Sequence, residues 1–418
     1  MNRKIAICGA GIAGVSTAYF LAKEIKDVDI ILIDKHQALN FTSSKSGENF
    51  RDYWPHQCME ALSSRSIELM KSLKNDLGDD AFDIVFSGYH FVSHLTNPIF
   101  ADDDTIEFQK RNVVEYDTKG IQQKHPYLDT GISKSIVINN AGHVDSISMA
   151  GAMLSKAQEY GLQFKQTEIV NLELKNKRVN IQCSDKTNIE VDQIVIATGP
   201  FMNDTASMLG LSFPIWNTLQ RKFIIPDPKG IIPRDMPFTI YADGQTLPWS
   251  LDELDLFKSN EDMHWMTKSF PGAIHIKPES GDRIKMGWAF STDKVEPQWQ
   301  VSNSEYFPQI VLTGASRFIP ALREYADNIP TPIIEYAGHY TRTAENWPLI
   351  GPTELDNVFV VGALAGFGTM TACAAGELCA KHIDKKSLPD YARYFVPSRY
   401  NDPVVQQVIS VSDLDGQL

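Results

Sequence analysis

The sequence is poor in cysteine, in long apolar runs and in positive charge, and each shortage argues against a class of protein. Its five cysteines are odd in number and widely spaced, with no C-x-x-C pair, so neither a zinc site nor a redox dithiol is expected. Few and widely spaced cysteines also fit a reducing, cytoplasmic location. No run approaches the roughly 18 apolar residues that a membrane helix requires. The formal net charge of −13 disfavours nucleic acids and anionic membranes as partners, because both need a basic surface.

The rest of the composition is that of an ordinary globular protein, with 43% hydrophobic and 22% charged residues. A chain of 418 residues predicts two or three domains at roughly 100–200 residues each. The histidines show no metal-ligand spacing, so no metal site is predicted. The sequence contains no repeats and no low-complexity tract, and its function must therefore be sought in local motifs.

The first 35 residues have the pattern of a parallel β-α-β unit. An apolar run at 4–8 leads into glycines, apolar residues then recur at helical spacing over 12–23, and DIILIDK at 29–35 has the composition of a second buried strand. A basic start before an apolar run is also typical of a secretory signal peptide. The central glycines and the acidic residue that follows favour the nucleotide-binding interpretation.

The turn between the first strand and the helix, CGAGIAG, holds Gly9, Gly11 and Gly14 in the spacing G-x-G-x-x-G. The first glycine permits the tight turn, the second lets a pyrophosphate approach the backbone, and the third lets helix and strand pack closely. The helix N-terminus offers free N–H donors to the phosphates. Asp34 ends the second strand, where a carboxylate that holds ribose hydroxyls is expected. These residues predict a dinucleotide site and, alone, leave NAD and FAD both open.

Nucleotide-binding patterns return in separated parts of the chain, with β-rich segments between them. We therefore predict an α/β protein in which a Rossmann-type dinucleotide-binding domain is interrupted by a mixed α+β substrate domain. The predicted limits are 1–85, 141–213 and 333–386 for the first domain, 86–140 and 214–332 for the second, and 387–418 for a C-terminal arm.

Several segments resemble the D-amino-acid oxidase superfamily of FAD enzymes. DQIVIATGPFMND at 192–204 resembles its A-T-G strand, and HYTRTAENWPLIG at 339–351 resembles its T-P-D-x-x-P-x-I-G segment. NVFVVGALAGFGTMTACAAGELCA at 357–380 resembles its closing strand, Gly-rich turn and helix, and GHVDSISM at 142–149 also fits. The resemblance spans nearly the whole chain, and it implies FAD as the dinucleotide.

The resemblance also implies which residues contact FAD. The pyrophosphate would lie on the first glycine turn and the adenosine at the end of the second strand and in the middle segment, while the ribityl chain and ring would run to the Gly-rich turn near the end of the chain. The implied contacts are Gly9, Gly11, Ile12, Ala13, Gly14, Asp34, Lys35, Ser43, Ser44, Lys45, Val170, Thr198, Gly199, His339, Tyr340, Gly366, Gly368, Thr369 and Met370.

The nearest branch resembles monomeric sarcosine oxidase, N-methyltryptophan oxidase and glycine oxidase. KMGW at 285–288 is similar to the K-L-G-Y strand of that branch, whose lysine lies over the flavin and activates O2. From pattern alone, Lys285 is the solvent side of an ordinary strand. The resemblance instead favours a functional lysine, whose fixed positive charge would stabilise superoxide as it forms from O2.

The chain departs from that branch at two positions. A glycine and His339 precede Tyr340, where the sarcosine oxidases carry the cysteine that tethers FAD, so noncovalent FAD is expected unless His339 or another residue substitutes. Met370 aligns with the lysine that binds the substrate carboxylate. Losing that charged hydrogen bond costs roughly 1.5–3 kcal/mol, so a small amino acid would bind poorly unless Arg51 or Arg342 replaces the lysine.

Arg51 belongs to a second segment rich in charged and aromatic residues, SGENFRDYWPHQ at 46–57. The resemblance implies that this loop lies at the flavin, with Arg51 near the pyrimidine end of the ring, where it would stabilise negative charge on the reduced cofactor. The alternative is a polar loop whose charges pair with one another.

We therefore expect an FAD-dependent oxidase that acts on a C–N bond of a small amine or amino acid, with O2 as acceptor and an imine and H2O2 as products. Lys285 and Arg51 are its predicted catalytic residues. The missing carboxylate lysine keeps open a flavoprotein that modifies a residue of a partner protein, as in quinone-cofactor maturation. A dehydrogenase that passes electrons to a quinone or a protein, and a non-catalytic FAD-binding scaffold, are further hypotheses.

Overall fold

The structure, a computed structural model, describes residues 2–98, 100 and 112–411. Those parts of the predicted domains and arm that fall on 1, 99, 101–111 and 412–418 lie outside the described residues. The described strands, β1 to β20 in chain order, are Arg3–Cys8, Val28–Asp34, Asn49–Arg51, Ile84–Val85, Tyr89–Ser93, Val113–Asp117, Lys134–Ile138, Ala141–Val144, Gln163–Gln166, Ile169–Lys175, Arg178–Cys183, Asn188–Val191, Gln193–Ile196, Trp216–Pro226, Phe238–Tyr241, Ile274–Glu279, Arg283–Trp288, Ile334–Arg342, Leu349–Pro352 and Val358–Gly362.

Helices alternate with these strands. The described α-helices, α1 to α10, are Ile12–Glu24, Gln57–Leu77, Thr118–Lys124, Ser146–Glu159, Met202–Ser207, Leu251–Ser259, Phe307–Ala315, Arg323–Asp327, Gly368–Ile383 and Pro403–Val411. The described 3₁₀ turns are Thr42–Lys45, Gly199–Phe201, Glu261–Thr267, Pro320–Leu322, Asp390–Tyr394 and Pro397–Asn401. The predicted first strand, helix and second strand are thus found within one or two residues of their expected ends.

The six-stranded sheet contains the predicted β-α-β unit, in the order β19-β20-β13-β1-β2-β9. Its strands pair in parallel except for β19, which runs antiparallel to β20. Both faces of its central strand are covered, since Ile5 and Ile7 pack into one core cluster and Ala6 and Cys8 into another. This burial on both faces explains why the strands are continuous apolar runs in the sequence.

The eight-stranded sheet, in the order β18-β14-β17-β16-β15-β5-β7-β6, is apolar on one face and charged on part of the other. Phe223 on β14 and Met286 on β17 pack into a core cluster on the apolar face. Because side chains alternate along a strand, Lys222 on β14, Lys277 on β16 and Lys285 on β17 lie on the opposite face. All three lysines are buried, with 7%, 7% and 9% of their surface exposed.

The segment after the last long helix is attached to the body of the protein by a buried ion pair. The guanidinium of Arg399 pairs with Glu345, and both side chains are almost completely buried. Arg399 also donates to the carbonyl oxygens of Trp347 and Tyr394 at 3.1 Å. The bonds to Glu345 and Trp347 join the 3₁₀ turn at 397–401 to the loop between β18 and β19.

The α/β fold class predicted from the sequence is confirmed, with a parallel nucleotide-type sheet and a mainly antiparallel one. The exact limits of the two domains stay a prediction. In the part of the chain that the structure describes, no helix combines the length and the apolar character needed to cross a bilayer.

Candidate active site

A cavity of about 350 Å³ begins at the first glycine turn and reaches the Gly-rich turn after β20. Its walls also include the loop after β2, the end of β13, and residues 338–341 of β18. These are the separate segments at which FAD contacts were predicted. The fold therefore brings together motifs that are distant in the sequence.

The first glycine turn can pack against its neighbours only because two positions lack a side chain. Gly9 has φ +103°, and a Cβ there would lie 2.4 Å from the carbonyl oxygen of Ala197. A Cβ on Gly14 would lie 1.9 Å from the carbonyl oxygen of Gly9. The N–H of Ile12, at the start of α1, donates to Ser43 Oγ at 2.9 Å. This helix start has the donors that bind phosphate in such folds.

Asp34 and Lys35 line the end of the cavity where the adenosine was predicted to bind. The carboxylate of Asp34 accepts hydrogen bonds from the N–H groups of Ala10 at 2.7 Å and His36 at 2.8 Å. A carboxylate has about four acceptor positions, so others remain for ribose hydroxyls. The ammonium of Lys35 lies 3.1 Å from Glu168. Backbone N–H groups thus fix the Asp34 carboxylate in place before any ligand binds.

Trp299 lines the same cavity and was not predicted as a site residue. It lies in the segment between β17 and α7, and its ring centroid is 4.1 Å from that of His36 and 4.3 Å from that of Phe41. It also stacks on Phe201 at 5.4 Å with an interplanar angle of 15°. Sequence reasoning missed Trp299 because no motif surrounds it, although a tryptophan in a polar segment is a signal.

Most of the predicted cofactor contacts line one of two cavities, and three line neither. Val170 is half exposed and points away, whereas its neighbour Ile169 lines the large cavity, as expected for alternating side chains on a strand. Gly14 and Ser44 are also outside the lining, and Met370 lines only the second cavity. The predicted residues that line the large cavity are Gly9, Gly11, Ile12, Ala13, Asp34, Lys35, Ser43, Lys45, Thr198, Gly199, His339, Tyr340, Gly366, Gly368 and Thr369.

The second cavity, of about 90 Å³, adjoins the first. We call it the small cavity, and we call the large one the cofactor cavity, because most of the predicted FAD contacts line it. Gly47, Lys222, Tyr340, Gly366 and Thr369 are among the residues that line both, so they mark the junction of the two cavities. At about 10–15 Å³ for each water, the second cavity has room for roughly six to nine waters. It is therefore the size of a small organic molecule.

Arg51 lines the second cavity from the end of β3 and is 1% exposed. Its guanidinium carbon lies 4.6 Å from the ring centroid of Trp54, 5.0 Å from that of Tyr89 and 4.9 Å from that of Phe91. No carboxylate among the described residues forms an ion pair with it, and the neighbours that act on its charge are Tyr89 and Tyr53. Burial lowers the pKa of Arg51, and the hydroxyls of Tyr89 and Tyr53 oppose that shift. The predicted polar loop with an internal ion pair is therefore not the environment of Arg51.

Lys285 has a different environment from the one expected over a flavin. Its ammonium lies 2.6 Å from Glu279 and 3.8 Å from Glu48, and the residue is outside the lining of both cavities. Burial alone would raise the pKa of Glu279, but its hydrogen bond to Lys285 and that residue's charge lower it overall. Lys285 is thus neither in bulk water nor at the junction of the cavities.

The lysine at the junction is Lys222, on the neighbouring strand β14. Its ammonium donates to the hydroxyl of Tyr340 at 3.2 Å, and it is 7% exposed. Sequence reasoning passed over Lys222, although the alternation in TLQRKFII at 218–225 places it opposite the core residue Phe223. The role of Lys285 stays a prediction, and the structure adds Lys222 as a second candidate.

His275 on β16 also lines the second cavity. Its Nδ1 lies 3.0 Å from the carbonyl oxygen of Ala273, which accepts only if Nδ1 carries the proton. Burial, together with the charge of Lys222, lowers the pKa of His275 to about 3. The ring is therefore neutral at ordinary pH, and its Nε2 presents a lone pair.

Comparison with known sequences assigns the family. The sequence pattern of the family described as FAD dependent oxidoreductase (DAO) matches residues 4–382. The chain belongs to this family. A curated relative, L-saccharopine oxidase of Schizosaccharomyces pombe, is 24% identical over 230 residues, which are 49% of this chain and 52% of that protein. The match therefore spans about half the length of the curated relative.

Solved structures confirm the fold of this FAD-dependent oxidoreductase. L-proline dehydrogenase from P. horikoshii has a TM-score of 0.73 and 22% identity, covering 96% of this chain and 98% of that one. Glycine oxidase from Geobacillus kaustophilus has a TM-score of 0.71 and 16% identity, covering 92% of this chain and 96% of that one. The resemblance to the D-amino-acid oxidase superfamily inferred from sequence motifs is confirmed, and FAD is the cofactor.

No cysteine lies in the described lining of the cofactor cavity of this FAD-dependent oxidoreductase. All five cysteines are buried, and none lines either cavity. His339 does line the large cavity, but its Nε2 accepts a hydrogen bond from the N–H of Gln298 at 3.3 Å. The noncovalent attachment predicted from the sequence therefore stays our proposal, and these contacts support it.

Proposed function

We propose that this enzyme is an oxidase that acts on the C–N bond of an amino acid, passes the electrons to O2, and yields an imine and H2O2. One observation carries the proposal. Arg51 is a buried cation without an acidic partner among the described residues, and it lines a small cavity beside the cofactor cavity. Burying an uncompensated charge is costly, and a substrate carboxylate would offset that cost through charged hydrogen bonds.

In this proposal, Arg51, His275 and Lys222 of the small cavity each have a task toward the substrate. Arg51 binds the carboxylate and so fixes the position of the neighbouring C–N bond. Nε2 of His275 accepts a hydrogen bond from the amine. The positive charge of Lys222 favours a neutral amine over an ammonium, and oxidation requires the neutral form. FAD supplies the two-electron acceptor when bound.

Apolar and aromatic walls limit water in the small cavity. Tyr89, Phe238, Ile240 and Phe367 contribute to its lining. A site from which water is largely excluded strengthens the interaction between a carboxylate and a buried guanidinium. It also slows hydrolysis of the imine before its release.

We further propose that a lysine ammonium stabilises superoxide as O2 is reduced. Lys222 is one candidate, because it lines both cavities at their junction. Lys285 is the other, on the strength of the sequence resemblance. The two lysines lie on adjacent strands, so substitution of each in turn distinguishes them.

A dehydrogenase is the second candidate function, because the ammonium of Lys285 is engaged by Glu279 at 2.6 Å. A lysine neutralised in this way stabilises superoxide less well, and electrons would then pass to another acceptor. Modification of a residue in a partner protein is less favoured, since a cavity of about 90 Å³ suits a small molecule.

The test is O2 uptake and H2O2 formation by the purified yellow protein with a panel of amino acids and amines. The oxidase proposal predicts equal amounts of O2 consumed and H2O2 formed with at least one amino acid. Reduction of an artificial dye without O2 uptake would indicate the dehydrogenase instead. Activity with simple amines alone would contradict the role of Arg51.

A further inference from the structure

We propose that residues 295–304 form a strap that opens to admit FAD to the cofactor cavity and closes over it through Trp299. The proposal concerns how the cofactor is taken up and retained, so it does not depend on the reaction proposed above. It is drawn from a cluster of rings at the rim of the cavity and from the way in which the backbone of this segment is held.

Four rings meet at the opening of the cofactor cavity, and we call them the aromatic rim. They are His36 and Phe41 from the loop after β2, Phe201 from the 3₁₀ turn after β13, and Trp299 from the strap. Each lines the cavity and is still partly exposed, which places the four at its edge rather than in its interior. Among the described ring contacts, Trp299 is the member that touches the other three. The rim therefore stays closed only while Trp299 is in place.

Trp299 reaches these rings from the other sheet, because both ends of the strap are fixed to strands of the eight-stranded sheet. At one end, the N–H of Val295 donates to the carbonyl oxygen of Asn217 on β14 at 2.9 Å. At the other end, the N–H of Ser304 donates to the carboxylate of Glu335 on β18 at 2.8 Å. The other three rings belong to loops of the six-stranded sheet. Trp299 therefore joins the two sheets across the opening of the cavity.

Between these two ends, the backbone of the strap is held loosely. Residues 296–301 lie outside regular secondary structure, and most of them are exposed. Among the described hydrogen bonds, the one that holds this stretch runs from the N–H of Gln298 to Nε2 of His339, and it is long at 3.3 Å. A segment with few hydrogen bonds and an exposed backbone opens at a low cost in free energy. The ring contacts of Trp299 are thus the main restraint on its opening.

Two polar atoms of the loop after β2 link closure of the strap to the cofactor. Nε2 of His36 and Oγ1 of Thr42 are buried and have no hydrogen-bond partner in the part of the chain that the structure describes. Both residues line the cofactor cavity, and Trp299 packs on the ring of His36. Leaving a buried polar atom unpaired is costly, and the hydroxyl and phosphate groups of a dinucleotide would supply the missing bonds. The strap should therefore close more readily with FAD bound than without it.

The first experiment measures the rates at which FAD leaves and enters the protein. Release is followed by mixing the holoenzyme with an excess of an unrelated apoprotein that captures free FAD, and uptake by mixing the FAD-free enzyme with FAD while the flavin fluorescence is recorded. Trp299→Ala should raise both rates by at least about tenfold, because the ring contacts that hold the strap closed are lost. Trp299→Phe keeps a ring and should give intermediate rates. Trp265→Ala is the matched control, since that tryptophan is 38% exposed against 40% for Trp299 and lines neither cavity, and it should change neither rate.

The second experiment needs no variant and therefore decides the matter even if Trp299→Ala fails to fold. Hydrogen exchange of the wild-type protein is measured by mass spectrometry with and without FAD. We expect the amides of 296–301 to exchange at least about tenfold more slowly with FAD bound, whereas helix α6, which lines neither cavity, should show no change.

Three results would overturn the proposal. The first is equal exchange of 296–301 in the two forms of the wild-type protein. The second is unchanged rates of release and uptake in Trp299→Ala. The third is faster release without faster uptake, which would make Trp299 a contact of the cofactor and not part of a strap that opens. None of these results bears on the proposed reaction, whose failure appears as FAD-loaded enzyme that no amino acid reduces.

Discussion

Replacement of Lys222 by methionine tests which lysine acts on O2. Methionine keeps much of the length and apolar stem of lysine and removes only the charge. Lys222 is 7% exposed and its ammonium lies at the junction of the cofactor and small cavities, 3.2 Å from the hydroxyl of Tyr340. We expect Lys222→Met to slow the oxidation of the reduced flavin by O2 and to leave the FAD content unchanged.

The size of the effect follows from the charge that is lost. Two unit charges about 4 Å apart interact by about 4 kcal/mol at an effective dielectric constant near 20. Each 1.36 kcal/mol is about a factor of ten in rate, so the loss should be roughly 10²- to 10³-fold. Lys285→Met should change the rate by less than about tenfold, because Glu279 lies 2.6 Å from that ammonium and the pair has no net charge.

The assay is stopped-flow mixing of photoreduced enzyme with O2, followed by the return of the flavin absorbance. No substrate is needed, so changes in substrate binding do not affect the result. Lys277→Met is a suitable control, since it removes a third buried lysine that lines neither cavity. Slow oxidation in Lys285→Met with a normal rate in Lys222→Met would refute this reasoning and support the role implied by the sequence resemblance.

Three further predictions follow from single residues. Arg51→Met should raise KM for amino acids roughly 10- to 100-fold in O2-uptake assays, because a charged hydrogen bond of about 1.5–3 kcal/mol is lost. An equal rise in KM for an amine that lacks a carboxylate would contradict this role. Gly14→Ala should give colourless protein, because its Cβ would lie 1.9 Å from the carbonyl oxygen of Gly9. The control Gly151→Ala, whose Cβ would meet nothing within 4 Å, should stay yellow. A yellow Gly14→Ala protein would disprove the packing argument. Burial and the charge of Lys285 lower the pKa of Lys277 from 10.5 to about 8. Between pH 8 and pH 10.5, the side chain of Lys277 is therefore protonated in the unfolded chain and neutral in the native protein. The free energy of unfolding consequently rises with pH across this range. In urea unfolding, Lys277→Met should remove that rise and add up to about 3 kcal/mol at pH 7, and an unchanged pH profile would show that the lysine is not the cause.

The cofactor end of the fold could be predicted from the sequence because its signals are local. Gly9, Gly14 and Asp34 are within one β-α-β unit, and their spacing alone specifies the turn, the close packing and the carboxylate. The structure shows the tight turn at Gly9, the close packing at Gly14 and the Asp34 carboxylate bonded to the backbone of that turn, while the contact of Asp34 with a ribose stays a prediction. Local rules of this kind need no knowledge of which distant strands pair.

The substrate end could not be predicted in the same way, because it depends on pairing between distant strands. Lys222 reaches the junction of the cavities only because β14 pairs with β18 on one side and β17 on the other. Alternation shows that Lys222 and Phe223 point to opposite faces, but it does not say what lies on either face. The difference between Val170 and Ile169 has the same origin, since a shift of one residue reverses the face.

The ion pair of Lys285 was also beyond local reasoning. Glu279 precedes it by six residues, and the hairpin of β16 and β17 places the two side chains on the same face. A motif match supplies the position of a residue, whereas its charge partner depends on the turn that joins the strands. A lysine paired with a carboxylate and a lysine exposed to solvent therefore cannot be told apart from the sequence.

The most direct test of the central claim is an anaerobic titration of the purified yellow enzyme with a panel of amino acids. The claim is that a carboxylate held by Arg51 positions a C–N bond beside FAD. It predicts that at least one amino acid removes the oxidised flavin absorbance in the wild-type enzyme and fails to do so at the same concentration in Arg51→Met. Persistence of the colour with every amino acid, or equal loss of colour in both proteins, would contradict it.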